Sequence, residues 1–315
     1  HAASYGLVAY QTAYMKANFP VAYMTAILSN ESGDVEKISE IVAECKRMGI
    51  VILPPDVNNS QGGFSIIKDK NGKEEIRFGL YTIKNLGQDI ADAIIDERKK
   101  GGEFVSLENF IRRVTHKNIN KRSLEALTMC GALDKFAERN ELLANLESIL
   151  EFHKHVVKDN MLQGSLFEIS STSSFVMKKT TPATQRQKLT WEKELLGLFV
   201  SGFPLDPWKE KIIARNINIE KVHTEIADGK EVSLAVVIEN IKVTITKKGD
   251  TMGLLRLRDY DGYIEVAVFP ESYKRYKDKI VLDLPLLVKG KVSTRNNEKT
   301  IMIDEIKSLD DMKNS

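Results

Sequence analysis

The period of the apolar residues changes along the sequence, and this change divides it into two halves. Up to Val157 the apolar residues recur at helical spacing, whereas from Val232 they alternate with a period of two. The intervening polar stretch, 157–187, becomes rich in Ser and Thr, contains Pro182 and has no sustained period, which favours a flexible connector. These patterns predict a multidomain protein with a mainly α N-terminal half followed by an all-β part. A length of 315 residues is enough for two or three domains with sizeable cores.

The N-terminal part predicts three helices before any strand. Ala2–Asn18 is rich in Ala and aromatic residues, Val21–Ser29 follows a proline, and Val35–Met48 carries its apolar residues on one face. A short strand pattern follows at Val51–Leu53. After it, Lys70-Asn71-Gly72 predicts the turn of a β-hairpin.

The segment Tyr81–Arg98 predicts two short helices joined by a hairpin that contains glycine. The first helix is expected to end near Asn85-Leu86-Gly87, and the second to begin at Gln88. Glycine lets the backbone approach a phosphate closely, and the free amides of the following helix attract the anion. The arrangement resembles a helix-hairpin-helix, which binds DNA without reading its sequence. The resemblance implies Lys84, Asn85, Gly87 and Gln88 as candidate residues for binding duplex DNA. The alternative is an ordinary corner between two helices.

Further helical patterns lie on either side of the polar stretch. Ser123–Gly131 again places a glycine after a helix and predicts a second, more degenerate hairpin that stabilises more than it binds. Leu142–Val157 predicts one longer helix. Beyond the polar stretch, Lys188–Arg215 predicts a helical connector to the β-rich part.

The β-rich part predicts five strands. Leu234, Val236 and Ile238 share one face of the first strand, and similar patterns recur in four further strands. A helix is predicted at Glu271–Tyr276, between the third and fourth strands. Five strands with a helix at this position predict an OB-fold barrel.

One outer face of this barrel is a candidate site for single-stranded DNA. Strand parity places Arg256 and Arg258 on the face opposite the apolar residues, with Lys242 and Tyr263 nearby. Positive charge together with a stacking ring suits a single-strand groove. The alternative is a solvated outer face. Because residues 232–309 hold 14 Lys or Arg against 11 Asp or Glu, we expect weak binding.

Two acidic or histidine pairs resemble metal sites superficially. Asp259 and Asp261 form an Asp-x-Asp pair, but they precede Gly262 between two alternating strands, where a hairpin turn is the better interpretation. His153 and His155 point to different faces of a helix, so a solvated helix is favoured over a metal site. No Gly-rich nucleotide loop and no nucleophile–base constellation stands out.

Composition limits the classes of partner and compartment. The net charge of +2 is nearly neutral, so nucleic-acid binding must come from local patches. Cys45 and Cys130 sit in apolar helical patterns and predict buried thiols in a reducing compartment. No apolar run reaches the roughly 18 residues of a membrane helix, so we expect a cytoplasmic protein without a membrane partner.

Several short blocks, taken in order, resemble one known family. The blocks are His-Ala-Ala-Ser-Tyr at 1–5, Tyr-Gln-Thr-Ala-Tyr at 10–14, Leu-Pro-Pro-Asp-Val-Asn at 53–58, Asn-Lys-Arg at 120–122, Gly-Ala-Leu-Asp at 131–134, Trp-Glu at 191–192 and Gly-Phe-Pro-Leu at 202–205. Together they resemble the alpha (catalytic) subunit of bacterial replicative DNA polymerase III over essentially the whole chain. Phe203 stands where a His is expected.

The resemblance implies a division of the chain and a role for each part. It implies the end of the fingers at 1–75, a tandem helix-hairpin-helix domain at 76–160, a clamp-binding peptide and linker at 161–188, a helical connector at 189–231 and an OB-fold at 232–309. The catalytic carboxylates would precede His1, so the chain has no catalytic residue of its own and is expected to be inactive alone. Magnesium would serve the parent polymerase, and no cofactor is expected in this part. His1 is a candidate contact to the incoming nucleotide; the alternative is a helix-terminal histidine with no role.

A pentapeptide in the polar stretch resembles the motif by which bacterial replication proteins bind the sliding clamp. Gln163 would make polar contacts at the entrance of the clamp pocket, and Leu166 and Phe167 would fill it. Ser165 is a further clamp-binding residue of the same motif. Gly164 replaces the more usual Leu. The implied partners are primer–template duplex, single-stranded template, the sliding clamp and further replicase subunits. Two alternatives remain open: an error-prone paralogue of the family, and a non-catalytic DNA-binding clamp adaptor.

Overall fold

The chain forms two compact units, His1–Ser201 and Gly202–Ser315. The computed structural model describes residues 1–31, 34–162, 176–295 and 298–313. Within these ranges, no helix is both long and apolar enough to cross a membrane. The division falls inside the predicted helical connector, whose first part belongs to the first unit and whose remainder belongs to the second.

The first unit is mainly helical, as predicted. Its helices are α1 Ala2–Asn18, α2 Pro20–Asn30, α3 Val35–Arg47, α4 Gln88–Gly101, α5 Leu107–Arg113, α6 Lys121–Met129, α7 Arg139–Ala144, α8 Leu146–Leu162 and α9 Gln185–Leu196. Its strands are β1 Ile52–Leu53, β2 Ser65–Lys68 and β3 Glu74–Arg77, which form a small sheet in the order β1-β3-β2. The predicted hairpin is confirmed, since β2 and β3 pair antiparallel across a turn that contains Gly72.

One helix boundary of the first unit differs from the prediction. The expected helix Leu142–Val157 is divided into α7 and α8 at Asn145. The Asn145 side chain is turned to the backbone of Lys178: its Nδ2 donates to Lys178 O at 2.9 Å, and its Oδ1 accepts from Lys178 N at 2.9 Å. Periodicity does not reveal this pairing because the two residues lie far apart in sequence.

A single apolar core joins the helices of the first unit, except that α1 has no buried residue. The predicted inner face of α4 is confirmed, with Ala91, Ile94 and Ile95 buried. Leu195 and Leu196 of α9 lie in the same core. The helix that follows the polar stretch is therefore part of this unit.

The second unit is built on five antiparallel strands. Its elements are α10 Lys209–Ala214, α11 Ile219–Thr224, α12 Pro270–Tyr276, β4 Glu231–Ile245, β5 Thr251–Arg258, β6 Tyr263–Val268, β7 Leu286–Arg295 and β8 Glu298–Ser308. The strand order in the sheet is β6-β5-β4-β7-β8. Along the chain, α12 lies between β6 and β7, the third and fourth of the five strands, as predicted. The strands, their alternation and the OB-fold assignment are confirmed.

The predicted closure of this sheet into a barrel is the part that differs. In the described ranges, no backbone ladder joins β6 to β8. The two strands are linked instead by a side chain, since Thr300 Oγ1 donates to Glu265 O at 2.7 Å. The sheet is therefore an OB-fold sheet that is not closed by backbone pairing.

Candidate nucleic-acid interface

The first predicted hairpin lies between a single 3-10 turn and α4. The expected first helix is only this turn, Leu80–Thr82, so the prediction that a helix runs on to Asn85 was wrong. The chain continues through bonds between residues three apart, with Leu86 N donating to Ile83 O at 3.2 Å. Helix α4 begins at Gln88, as predicted.

The hairpin has the left-handed residue that the sequence suggested. Asn85 has φ of 72°, a region that Asn tolerates better than most residues. The backbone of the preceding residue is anchored to α9, because Lys84 N donates to Leu195 O at 2.9 Å. The side chain of Lys84 is exposed, as are Gly87 and Gln88. The four predicted duplex-binding residues therefore lie together on one accessible hairpin.

Two cations that the sequence analysis did not assign to binding lie beside this hairpin. Arg122 Nη2 donates to Asn85 Oδ1 at 2.7 Å, although the residues are 37 positions apart. Lys121 and Arg122 open α6, which is capped by Asn120 through its bond from Ser123 N at 3.1 Å. An open cleft of about 510 Å³ is lined by Asn85, Lys121, Arg122, Glu125, Ala126, Met129, Glu194 and Leu195. The signal in the sequence was the Asn-Lys-Arg block of the family resemblance.

The N-terminus of α4 already faces a carboxylate of the same chain. Asp89 lies in its first turn, and its Oδ2 accepts a hydrogen bond from Asn118 Nδ2. His116 Nδ1 lies 3.8 Å from the same oxygen. The Asn118 amide holds the pKa of Asp89 below its usual range, with smaller contributions from Ile90 N–H and His116. A Cβ at position 87 would come close only to the Asp89 carboxylate, the end of an exposed side chain that can move aside.

The second predicted hairpin is buried. Cys130, Gly131, Ala132 and Leu133 are all buried, and Gly131 has φ of 87°. A side chain at Gly131 would also collide with the Arg139 guanidinium. This hairpin is a packing element of the first unit.

A buried ionic network fixes the second hairpin to α9. Arg139 is only 2% exposed and makes a bidentate bond to Asp134, with Nε–Oδ1 at 2.9 Å and Nη2–Oδ2 at 2.8 Å. Both terminal nitrogens also lie 3.2 Å from Oε1 of the fully buried Glu192. The other Glu192 oxygen accepts from Val200 N at 3.0 Å and Ser201 N at 2.9 Å. Burial lowers the pKa of Arg139, but the two carboxylates outweigh it and the pKa is raised.

The block Leu53–Asn58, together with Ser60 two residues after it, has a structural explanation. Asn58 exchanges two hydrogen bonds with the backbone of Phe104, at 2.9 and 2.8 Å. Ser60 Oγ donates to Phe78 O at 2.7 Å. Arg98 of α4 donates to Val57 O at 2.8 Å and Ser60 O at 2.7 Å. These bonds connect the small sheet to the helices, so the block positions α4.

The predicted clamp-binding residues Gln163, Ser165, Leu166 and Phe167 lie outside the described residues. The chain that follows, Val176–Thr184, has no regular structure, but α7 and the residues beside it hold it in place. In addition to the Asn145–Lys178 pairing, Asn140 Nδ2 donates to Thr181 O at 3.0 Å and Ala183 N donates to Glu138 Oε1 at 2.8 Å. This part of the expected flexible connector is therefore attached to the first unit.

In the second unit, the predicted single-strand residues lie on one sheet face, as strand parity required. Arg258 of β5 is paired with Tyr263 of β6, and Lys242 of β4 is paired with Leu254 of β5. Paired residues share a face, and Leu254, Arg256 and Arg258 alternate along β5, so these side chains lie on the same side of the sheet. Both arginines carry acidic partners that the sequence analysis did not foresee. Arg256 Nη2 lies 3.0 Å from Glu265 Oε1, and Arg258 Nη1 lies 2.5 Å from Glu239 Oε1.

An aromatic ring and an arginine combine on this face. The Arg256 guanidinium lies 4.7 Å from the centre of the Tyr263 ring. Tyr263 is 54% exposed, so one part of its ring is open to a ligand. Lys242 is exposed. The face therefore offers a ring and cations, but its charge is reduced by the two glutamates.

The Asp-x-Asp pair is a hairpin turn, as predicted. Asp259 is buried; its Oδ1 accepts from Asp261 N at 2.9 Å and Gly262 N at 3.0 Å, and its Oδ2 accepts from Ile219 N at 2.7 Å. Asp261 Oδ2 accepts from Asn218 Nδ2 at 2.7 Å. Burial raises the pKa of Asp259, and the three N–H bonds oppose that rise. With these oxygens already committed to N–H donors, the pair does not fit a magnesium site.

The two histidines face different sides of α8, but one of them is not solvated. His155 is exposed, whereas His153 is buried with Nε2 3.1 Å from Val114 O. The expectation of a solvated helix is therefore wrong for His153, whose side chain lies against the core. Burial lowers its pKa. Across the described part of the chain, no group of three or more His, Cys, Asp or Glu could hold a metal ion.

The two cysteines are buried, whereas His1 is exposed. Cys45 and Cys130 are buried free thiols, as predicted, and burial raises their pKa values to about 11 and about 12. His1 is exposed immediately before α1. Several side chains of α1 are also exposed, including Tyr5 and Tyr10.

Two family models match parts of the chain. Residues 49–142 match the helix-hairpin-helix motif, and residues 232–309 match the OB-fold nucleic acid binding domain. The first match includes both hairpins, and the second covers the five-stranded sheet.

Curated relatives match almost the whole chain. DNA polymerase III subunit alpha of Thermus aquaticus is 35% identical over 99% of this chain and 25% of its own length. The subunit of Deinococcus radiodurans is 34% identical over 99% and 24%, and that of Borreliella burgdorferi is 36% identical over 98% and 27%. The chain thus spans about a quarter of the length of these relatives. The resemblance recognised in the sequence is confirmed.

Proposed function

We infer that this chain is one segment of a bacterial DNA polymerase III alpha subunit. The observation that carries this inference is identity of about a third with such subunits over 99% of the chain. In the proposed parent enzyme, deoxynucleoside triphosphates are added to a primer 3′ end on a template strand. The role of this segment is to bind DNA and to keep the enzyme attached to it.

The first unit is proposed to bind the primer–template duplex. The exposed hairpin with Lys84, Asn85, Gly87 and Gln88 supports this role, because the backbone is accessible there and a cation lies beside it. The matching helix-hairpin-helix model supports it independently. Contacts of this kind go to phosphates, so binding is expected to be insensitive to sequence.

The second unit is proposed to bind the single-stranded template. Lys242, Arg256, Arg258 and Tyr263 share one face of the sheet, and the exposed ring gives a base a surface on which to stack. The match to the OB-fold nucleic acid binding domain supports this role. Glu239 and Glu265 pair with the arginines, so the binding is expected to be weak.

A clamp tether is proposed at Gln163, Ser165, Leu166 and Phe167, on the basis of the sequence motif. Helix α8 precedes this peptide, and Val176–Thr184 after it is held by the same unit. Both described flanks of the peptide therefore belong to the unit that carries the proposed duplex-binding hairpin. Tethering raises the local concentration of the polymerase at the primer end, so even weak binding supports many additions.

Catalysis is proposed to belong to the rest of the parent protein. The magnesium-binding carboxylates are expected outside this segment, because the Asp259 and Asp261 oxygens accept N–H donors of their own unit. His1 is proposed to contact the incoming nucleotide. The cytoplasm is the proposed compartment, and further replicase subunits are proposed as additional partners.

The tether is tested by measuring binding of this chain to the cognate sliding clamp by surface plasmon resonance. Wild type is compared with the double variant Leu166→Ala/Phe167→Ala. The matched control is Phe175→Ala, which removes a ring from the same polar stretch outside the pentapeptide. We expect micromolar-range binding that the double variant abolishes and the control retains. Equal binding by all three proteins, or no binding at all, would remove the clamp from the proposal.

A further inference from the structure

The charges around the first hairpin are distributed unevenly. On one side, Lys84, Lys121 and Arg122 are exposed. Among the described residues, none of these three cations forms an ion pair with a carboxylate. On the other side, the first turn of α4 holds the Asp89 carboxylate. A phosphate at the start of α4 would therefore meet an anion instead of an empty set of amides.

The bond between Arg122 and Asn85 fixes the position of one of these cations. A guanidinium has five N–H donors in a planar fork, and Asn85 Oδ1 accepts one of them from Nη2 at 2.7 Å. Arg122 is exposed, so the other donors can reach a ligand in the open cleft. A glycine at position 85 would satisfy the left-handed backbone but would offer no oxygen to Arg122.

We propose that Arg122, oriented by Asn85 and assisted by Lys121, binds a backbone phosphate of duplex DNA in the cleft between the first hairpin and α6. This proposal rests on the proposed duplex binding and names the group that holds the phosphate. A phosphodiester suits this site because the guanidinium fork matches two of its oxygens. The site lies beside the hairpin and not at the start of α4.

The cleft also contains acidic groups, which limit where the phosphate binds. Glu125 of α6 and Glu194 of α9 line it, and Glu194 is exposed. Glu194 repels an anion from the α9 side of the cleft, whereas Glu125 lies on α6, one turn after Lys121 and Arg122. The phosphate is therefore placed at the hairpin side, where Arg122 contacts Asn85 and where Lys84 is the neighbouring residue in sequence.

The test is duplex binding by fluorescence anisotropy over a series of salt concentrations, using the whole chain and a labelled duplex. Arg122→Ala is expected to weaken binding about tenfold at low salt. It should also reduce the slope of log affinity against log salt by about 0.9, the value for one lost phosphate contact. Lys154→Ala, which removes an exposed lysine of α8, is the matched control and should change neither quantity.

Two further variants separate this site from the alternatives. Asn85→Gly is expected to weaken wild-type binding to a smaller extent and to have no effect in the Arg122→Ala background, because Asn85 acts through Arg122. Asp89→Asn is expected to change the affinity less than about twofold. The proposal is overturned if Arg122→Ala leaves the salt slope unchanged, or if the effects of Arg122→Ala and Asn85→Gly on affinity are additive. It is also overturned if Asp89→Asn strengthens binding, as a phosphate site at the start of α4 would require. Absence of duplex binding by the wild type would instead overturn the proposed function.

Thermal unfolding followed by circular dichroism accompanies each variant. Arg122, Asn85 and Asp89 are not part of the apolar core, so we expect unfolding temperatures close to that of the wild type. Arg122→Lys gives a second measurement that does not depend on removing a large side chain. It keeps the charge but loses the fork, and it should retain the salt slope while losing part of the affinity.

Discussion

Replacing Glu192 by Gln tests whether the buried ionic network holds the first unit together. Glu192 is fully buried and accepts four N–H groups, two from Arg139 and one each from Val200 and Ser201. A Gln amide has one acceptor oxygen, so it can satisfy either the guanidinium or the two backbone amides. The other set is left facing an NH₂ group inside the core.

The expected loss can be derived from this geometry. Removing one partner of a buried ion pair costs roughly 3–5 kcal/mol. Asp134 still compensates Arg139 through its own two bonds, so the lower end applies and we expect about 3 kcal/mol. This is a change of roughly 100-fold or more in the unfolding equilibrium constant. The variant should lower the free energy of unfolding by this amount, while the dependence of that free energy on urea concentration stays unchanged.

The assay is urea unfolding followed by fluorescence of Trp191, which lies in α9 next to Glu192. Every protein carries Trp208→Phe, because Trp208 belongs to the second unit and would contribute a separate signal. Glu194→Gln is the matched control on the same helix; its side chain is exposed, and we expect a change within about 0.5 kcal/mol. A loss below about 1 kcal/mol for Glu192→Gln would refute the reasoning.

Three further predictions concern a histidine, a turn and the sheet face. Burial lowers the pKa of His153, so its contribution to stability is complete above the unfolded pKa of about 6.5 and is lost as the pH falls through the folded value. Urea titrations at about pH 7 and 5 should therefore show a larger loss for wild type than for His153→Asn, and equal losses would contradict this. Asp259→Asn should destabilise the second unit by about 1–3 kcal/mol in thermal unfolding, whereas the exposed Asp261→Asn should have little effect; equal effects would argue against the buried turn. Arg256→Ala/Arg258→Ala should weaken binding of an oligothymidine in anisotropy and leave folding intact, and unchanged binding would show that the face is merely solvated.

The elements that periodicity specifies were predicted well. Leu234, Val236 and Ile238 alternate along β4, so they could be placed in the core of the sheet from the sequence, whereas Val237 and Leu287 are buried in a separate apolar cluster. The start of α4 at Gln88 was also predictable, since glycine and asparagine precede it. The helix boundary at Asn145 was not, since the partner of the Asn145 side chain, the backbone of Lys178, is distant in sequence.

The contacts that build the candidate site are long-range and left no periodic signal. Arg122 meets Asn85 across 37 residues, and Arg139 meets Glu192 across 53. The family blocks include Arg122 and Glu192, but they include neither Asn85 nor Arg139 and do not state which residue each one contacts. The acidic partners of the sheet arginines were missed for the same reason. Strand register pairs Glu265 with Arg256, whereas Glu239 reaches Arg258 from the irregularity in β4 between Ile238 and Asn240.

The most direct test of the account is binding of this chain to two duplexes of equal length and unrelated sequence, measured by anisotropy across a salt titration. Because the proposed contacts go to phosphates, the two affinities should agree within a few-fold and should fall linearly on a log–log plot of affinity against salt. A preference above roughly tenfold for one sequence, an affinity independent of salt, or no binding would contradict the claim that this segment binds the DNA backbone.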